Sequence, residues 1–186
     1  MEERRLTPEE KVELLKIARM AVSSALEGKK FKAATTLEGL LQERGAFVTI
    51  HKNGALRGCI GTFFSNEPLF KTVESMAESA AFRDPRFSPV SKDEFQHIDL
   101  EISVLSPLRE IADINKIEVG KHGIYVSKGH FRGVLLPQVA TEYGWDRETF
   151  LSHTCQKAGL PLDEWKRGVK IEVFSAQIFG EKELEQ

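Results

Sequence analysis

The segment Leu56-Arg57-Gly58-Cys59-Ile60-Gly61-Thr62 carries two glycines inside a strand-like stretch, and this constrains the chain more than any other feature. Glycine weakens a strand, because it adds no side-chain packing and loses the most chain entropy on folding. Two of them imply a bulge, or a backbone that something approaches closely. The segment follows Phe47-Val48-Thr49-Ile50-His51-Lys52, which has strand composition, and Asn53-Gly54, which suits a two-residue hairpin turn needing φ > 0 at both positions. Unbroken pairing across that turn sets Ile50 opposite Arg57, Val48 opposite Cys59, His51 opposite Leu56 and Phe47 opposite Ile60. Apolar groups then fall on both faces, so neither face reads as fully solvated.

The flanking elements are helical or extended by clear local signals. Thr7, Pro8 and Glu10 form a helix start with a capping box, and Leu14, Leu15, Ala18, Ala21, Val22, Ala25 and Leu26 follow at helical spacing until Gly28. Asn66 and Pro68 predict the start of a second helix bearing Leu69, Phe70, Val73, Met76, Ala77, Ala80 and Ala81. Asp84-Pro85-Arg86-Phe87-Ser88-Pro89 must break it. Ile98 to Leu105 alternates as a strand, and Ile124–Val126 with Phe131–Leu136 predicts a hairpin around Lys128-Gly129. Pro137 opens a short helix that Gly144 ends, Asp146 caps another that stops at Gly159, and Val169–Phe174 reads as a last strand. This order predicts an α+β protein with mainly antiparallel sheet. We read residues 1–10 as a charged leading segment and 11–182 as a single domain that could divide into two lobes.

Composition excludes several classes of function. The chain has 26 basic and 28 acidic side chains, so no global field draws it to nucleic acid or anionic lipid. Lys166, Arg167 and Lys170 near Trp165 are too small a basic patch, and no aromatic stacking platform is legible, so nucleic-acid binding is not expected. The charged opening Met1-Glu2-Glu3-Arg4-Arg5 does not read as a secretory signal, and no apolar run reaches the ~18 residues that span a bilayer. Two cysteines, far apart, suit a reducing compartment, so we expect a cytoplasmic protein with no membrane association. The histidines His51, His97, His122, His130 and His153 form no metal-binding spacing with one another or with cysteine, so neither a metal nor a cofactor is expected. GxGxxG, GxxxxGK[ST] and GxSxG are all absent.

Each candidate site residue has a structural and a chemical reading. Cys59 is either a small buried hydrophobe or, beside the Arg57 cation, a primed thiol. Asp84 and Arg86 flank a rigid proline, either as a pair that ties the loop down or as a loop presenting Arg86 to an anion. His122, in Lys121-His122-Gly123, is a turn residue or a general base. Glu101 on the polar face of a strand faces solvent or takes part in acid–base work. Gln138 either starts a helix or offers an amide to a ligand.

Leu56-Arg57-Gly58-Cys59-Ile60-Gly61 resembles the signature of the AMMECR family, also called AmmeMemoRadiSam system protein A. Arg44–Thr49, Asp84–Phe87, Gly120–Gly123, Leu136–Ala140 and Cys155–Leu160 resemble its other segments in the same order. The resemblance implies an AMMECR-type α+β fold with two unequal lobes around a cleft, and an intracellular protein. It also implies association with a Memo-type protein and a radical SAM protein. Two functions remain open. The first is an enzyme or enzyme subunit that handles a small anionic molecule, with Arg57, Gly58, Gly61, Asp84, Arg86 and Gln138 as ligand-binding residues and Cys59 and His122 as thiol and proton partner. The second is a non-catalytic accessory or ligand-delivery protein for those partners.

Overall fold

The computed structural model describes residues 4–184; the opening Met1-Glu2-Glu3 of the charged leading segment lies outside them. Helix α1 (Pro8–Leu26) starts as its sequence dictates: Thr7 Oγ1 accepts from Glu10 N, and the Glu10 carboxylate accepts from Thr7 N. Such caps are worth about 1 kcal/mol. The buried Glu10 carboxylate also accepts from Gly39 N at 2.9 Å and pairs with Arg4, so one side chain fixes both the helix start and a distant loop.

The chain divides into two compact units, 1–105 with 177–186, and 106–176. In the first unit, β1 (Ala46–Lys52) and β2 (Ala55–Thr62) form the expected hairpin, with Asn53 at φ 53° and Gly54 at φ 79°. Helix α2 (Leu69–Phe82) follows, then β3 (Ile98–Leu105). Near the C-terminus come β8 (Ala176–Gly180) and the short helix α5 (Glu181–Leu184). The strand order is β2-β1-β3-β8, with β1 antiparallel to both neighbours. Val48, Ile50, Leu100, Ile102 and Val104 line the inner sheet face and share one core with Leu14 and Val22 of α1 and Val73 and Ala77 of α2.

The second unit holds β4 (Arg109–Glu110), β5 (Gly123–Lys128), β6 (Phe131–Leu135) and β7 (Lys170–Phe174) in the order β4-β7-β5-β6, all paired antiparallel. Helices α3 (Pro137–Glu142) and α4 (Arg147–Lys157) complete it. Asp146 caps α4 by accepting from Thr149 N at 2.8 Å. Ile117, Ile124, Val126, Phe150, Leu151 and Val173 form its core. Buried Cys155 belongs to that core, and burial pushes its thiol pKa up.

Three local expectations are corrected. Helix α2 is not capped by Asn66: Pro68 is the N-cap residue, and the helix entry is held instead by Leu69 N donating to Gln42 O at 2.8 Å. Val169–Phe174 is not the last strand, because β8 follows it; its five residues, ending in glycine, carry too short a pattern to read. The hairpin register also differs. Ile50 pairs with Gly58 while His51 pairs with Leu56, so Arg57 is an extra residue in β2. From there on the partners shift by one: Thr49 faces Cys59, Val48 faces Ile60 and Phe47 faces Gly61.

Candidate functional site

The bulge at Arg57 decides which way Cys59 points. A one-residue slip moves every later side chain to the other face of a strand. In the unbroken register Cys59 would join Val48 on the inner, core face. In the bulged register Gly58 and Ile60 point inward and Cys59 points outward with Thr49. Thr49 Oγ1 donates to Cys59 Sγ at 3.3 Å. On the far side of Thr49, β3 places Glu101 directly opposite. A thiol, a hydroxyl and a carboxylate therefore stand in one row across β2, β1 and β3, all half-buried. Two strand spacings separate the ends of that row, about 9–10 Å. Thr49 was not singled out from sequence, since it becomes the neighbour of Cys59 only through the bulge.

The two glycines admit close approach, and the chain itself makes it. A Cβ at Gly58 would overlap the Ala80 carbonyl oxygen of α2. A Cβ at Gly61 would overlap the Phe47 ring, which lies over the strand and packs edge-on against Phe63 at 5.0 Å.

The Asp84-Pro85-Arg86 loop closes the outer edge of β2. Asp84 is buried, with 2% of its side chain exposed. Its Oδ2 accepts from Cys59 N at 2.9 Å and from Arg86 Nη2 at 2.8 Å, and its Oδ1 accepts from Arg86 N and Nε at 3.1 and 3.0 Å. Arg86 Nη2 also donates to Cys59 O at 3.3 Å. The pair thus satisfies both backbone groups that Cys59 turns toward the sheet edge, as a neighbouring strand would. The Arg86 side chain hydrogen bonds hold the Asp84 carboxyl well below the usual carboxylate range, against the opposing effect of burial. The Arg86 side chain is itself 54% exposed, and its Nη1 edge makes no protein hydrogen bond among the described residues.

Arg57 is committed elsewhere. Its Nε and Nη2 both donate to Glu94 at 3.2 Å, and Nη2 also donates to Ser88 O at 2.8 Å. Only 11% of its side chain is exposed. Glu94 also binds Lys52 at 2.9 Å and Ser91 N at 3.1 Å; Arg57 first, then Lys52, hold its carboxyl well below the ordinary range. Phe87 lies within cation–π distance of both guanidinium groups, 5.9 Å from Arg57 and 5.5 Å from Arg86.

His122 and Gln138 belong to the second unit. His122 is buried, and its Nδ1 accepts from Glu118 N at 3.1 Å, which places the ring proton of the neutral form on Nε2. Burial lowers its pKa, and Glu118 opposes that shift. Gln138 is exposed in the first turn of α3, and its backbone carbonyl accepts from Thr141 Oγ1 at 2.7 Å.

One feature read as absent from the sequence is present in the fold. Tyr143 and Trp145 stack with ring centroids 4.9 Å apart and 18° between planes, and Trp145 stacks on His153 at 4.0 Å and 10°. The second unit therefore carries a platform of three parallel rings. Among the described residues there is no group of three or more His, Cys, Asp or Glu that could hold a metal ion, and no helix is long and apolar enough to cross a membrane.

These features define an α+β protein of two antiparallel four-stranded units, with a half-buried cysteine turned to the outer face of the first by a bulge. The chain belongs to the AMMECR1 family, whose model matches residues 15–179. It is 44% identical over 190 residues to a protein of Methanocaldococcus jannaschii, covering 97% of this chain and 94% of that one. It is 47% identical to a protein of Methanothermobacter thermautotrophicus, covering 90% and 92%. Among solved structures it resembles an uncharacterised protein from Pyrococcus horikoshii, with a TM-score of 0.78 and 40% identity over 91% of this chain and 90% of the other.

Proposed function

We propose that the outer face of the first sheet binds a small anionic molecule, and that this chain is an enzyme or enzyme subunit working on it. The carrying observation is the row Cys59–Thr49–Glu101 beside the half-exposed Arg86. The open Nη1 edge of Arg86 supplies a charge-assisted donor, and Asp84 fixes its orientation. In this reading a small ligand lies over Thr49, between Cys59 and Glu101. Cys59 supplies the thiol, and Glu101 supplies a carboxylate that could exchange a proton with the ligand from the other side. The chain's partners in this reading are a Memo-type protein and a radical SAM protein.

A thermal-shift screen of small carboxylates and phosphates tests it, since a ligand of the native state raises the unfolding midpoint. The expected result is a compound that raises the wild-type midpoint and acts more weakly on Arg86→Lys and Cys59→Ser. A screen in which no anion moves the wild type, or in which both variants respond as the wild type does, overturns it.

A specific observation favours a second reading, an accessory protein without chemistry of its own. Arg57 and Arg86 both spend donors on internal carboxylates, and the chain itself fills the space above both glycines. Such a surface is rigid, as a recognition wall for a partner should be. Titrating the purified chain with a Memo-type or radical SAM protein at micromolar concentration distinguishes the two: this reading requires association that Arg86→Ala weakens while the fold survives.

A further inference from the structure

The ring stack Tyr143–Trp145–His153 belongs to the second unit. Its construction follows from the end of α3. Gly144 adopts φ 65°, and Trp145 N reaches back to Ala140 O at 2.8 Å, which turns the chain sharply enough to lay Trp145 beside Tyr143. The His153 ring, on α4, packs against Trp145 and is held by its Nδ1 contact with Gln156 Oε1 at 3.2 Å. The central ring is fixed by the other two. Tyr143 ends the stack: one ring face meets Trp145, and the residue is nevertheless 68% exposed. A flat aromatic face is thus presented to solvent on a preorganised base.

A flat, electron-rich face accepts either a nucleobase or a planar cation. Charge decides between them. Glu142, Asp146 and Glu148 are exposed and lie within five positions of Tyr143. Glu142 and Glu148 pair with no cation among the described residues, and Asp146 caps α4 without a cationic partner. Arg147, the one cation among them, is turned away: its Nε donates to Ile117 O and its Nη1 to Asn115 Oδ1. Uncompensated carboxylates repel a phosphate backbone and attract a guanidinium, which is planar, stacks on aromatic rings and pairs with carboxylates through a fork of donors.

We infer that the exposed Tyr143 face is a docking point for an arginine side chain of a partner protein. The guanidinium lies flat on Tyr143 and continues the stack, and Glu142 provides the nearest carboxylate in sequence.

The test follows the Trp145 indole N–H signal of the full chain by NMR while adding the blocked tripeptide acetyl-Ala-Arg-Ala-amide, its lysine counterpart, or adenosine monophosphate. The expected result is a saturable shift with the arginine peptide and roughly threefold weaker binding of the lysine peptide. Tyr143→Ala abolishes the shift, Tyr143→Phe retains it and Glu142→Gln weakens it. Tyr143 is exposed, so its replacement leaves the fold intact, which an unchanged circular dichroism spectrum verifies. Tighter binding of adenosine monophosphate, an arginine-induced shift that survives Tyr143→Ala, or no saturable shift at all overturns the inference.

Discussion

Thr49 Oγ1 donates a hydrogen bond to Cys59 Sγ at 3.3 Å, and the two residues meet only because β2 carries one residue more than β1 requires. The bulge at Arg57 turns the cysteine out of the core and places it beside a hydroxyl, with Glu101 next in line. The thiol's accessibility is therefore a property of strand register.

Thr49→Val keeps the shape of that neighbour and removes its donor. The hydroxyl interacts more strongly with sulfur as negative charge forms on it, so the substitution should slow iodoacetamide alkylation of Cys59 about fivefold at fixed pH, one hydrogen bond's worth. Mass spectrometry of the Cys59 peptide against time measures this. An unchanged rate would show that the Thr49 contact does not affect the thiol's reactivity.

Asp84→Asn should destabilise the first unit by about 2 kcal/mol, because an amide keeps one acceptor oxygen and sets an NH2 donor against Arg86 N and Nε, which the second carboxylate oxygen accepts from. The same carboxylate contributes an acid-sensitive part of stability. Its folded pKa lies below the unfolded value of about 3.9, so its contribution is complete above that range and is lost as pH falls toward the folded value. Urea unfolding between pH 7 and pH 3 should show a steeper loss for wild type than for Asp84→Asn. Parallel curves would refute the linkage.

Gly58→Ala and Gly61→Ala should both cost stability, with Gly58→Ala costing more. The first drives a methyl group into a backbone carbonyl of α2, which can yield only by moving the helix. The second meets the Phe47 ring, which can yield by rotating, as well as Phe47 Cα. Overpacking of this kind costs about 1–3 kcal/mol. Chemical denaturation ranks the two, and equal midpoints for both variants and wild type would contradict the packing account.

His122 titrates in the opposite sense to a paired histidine. Burial lowers its folded pKa, so the neutral ring is the form that stabilises the fold. That contribution is present above the unfolded value of about 6.5 and is lost as pH falls from there through the folded pKa. His122→Asn, which keeps an acceptor for Glu118 N, should flatten the stability profile between about pH 7 and pH 5. A variant profile as steep as that of wild type would rule this out.

Features carried by neighbouring residues were legible in the sequence. The Thr7–Glu10 capping box, the Asn53-Gly54 turn, the alternation of Ile98–Leu105 and the Asp146 cap depend on residues a few positions apart, where covalent geometry fixes what can meet. The glycine pair in β2 also pointed correctly to a bulge. Its position was not legible, and that one residue decides whether Cys59 faces the core or the outside.

The tertiary structure alone decided the pairings. Arg57 meets Glu94 across 37 positions, Asp84 meets Cys59 N across 25, and Tyr143, Trp145 and His153 come into one stack from the end of one helix and the body of the next. No periodicity encodes such contacts. They arise when a hydrophobic core forms and brings distant segments close enough for charges and rings to choose partners. The sequence by itself determined the elements and the chemistry available on them; the packing of the core determined which groups face each other, and hence where a ligand or partner can be held.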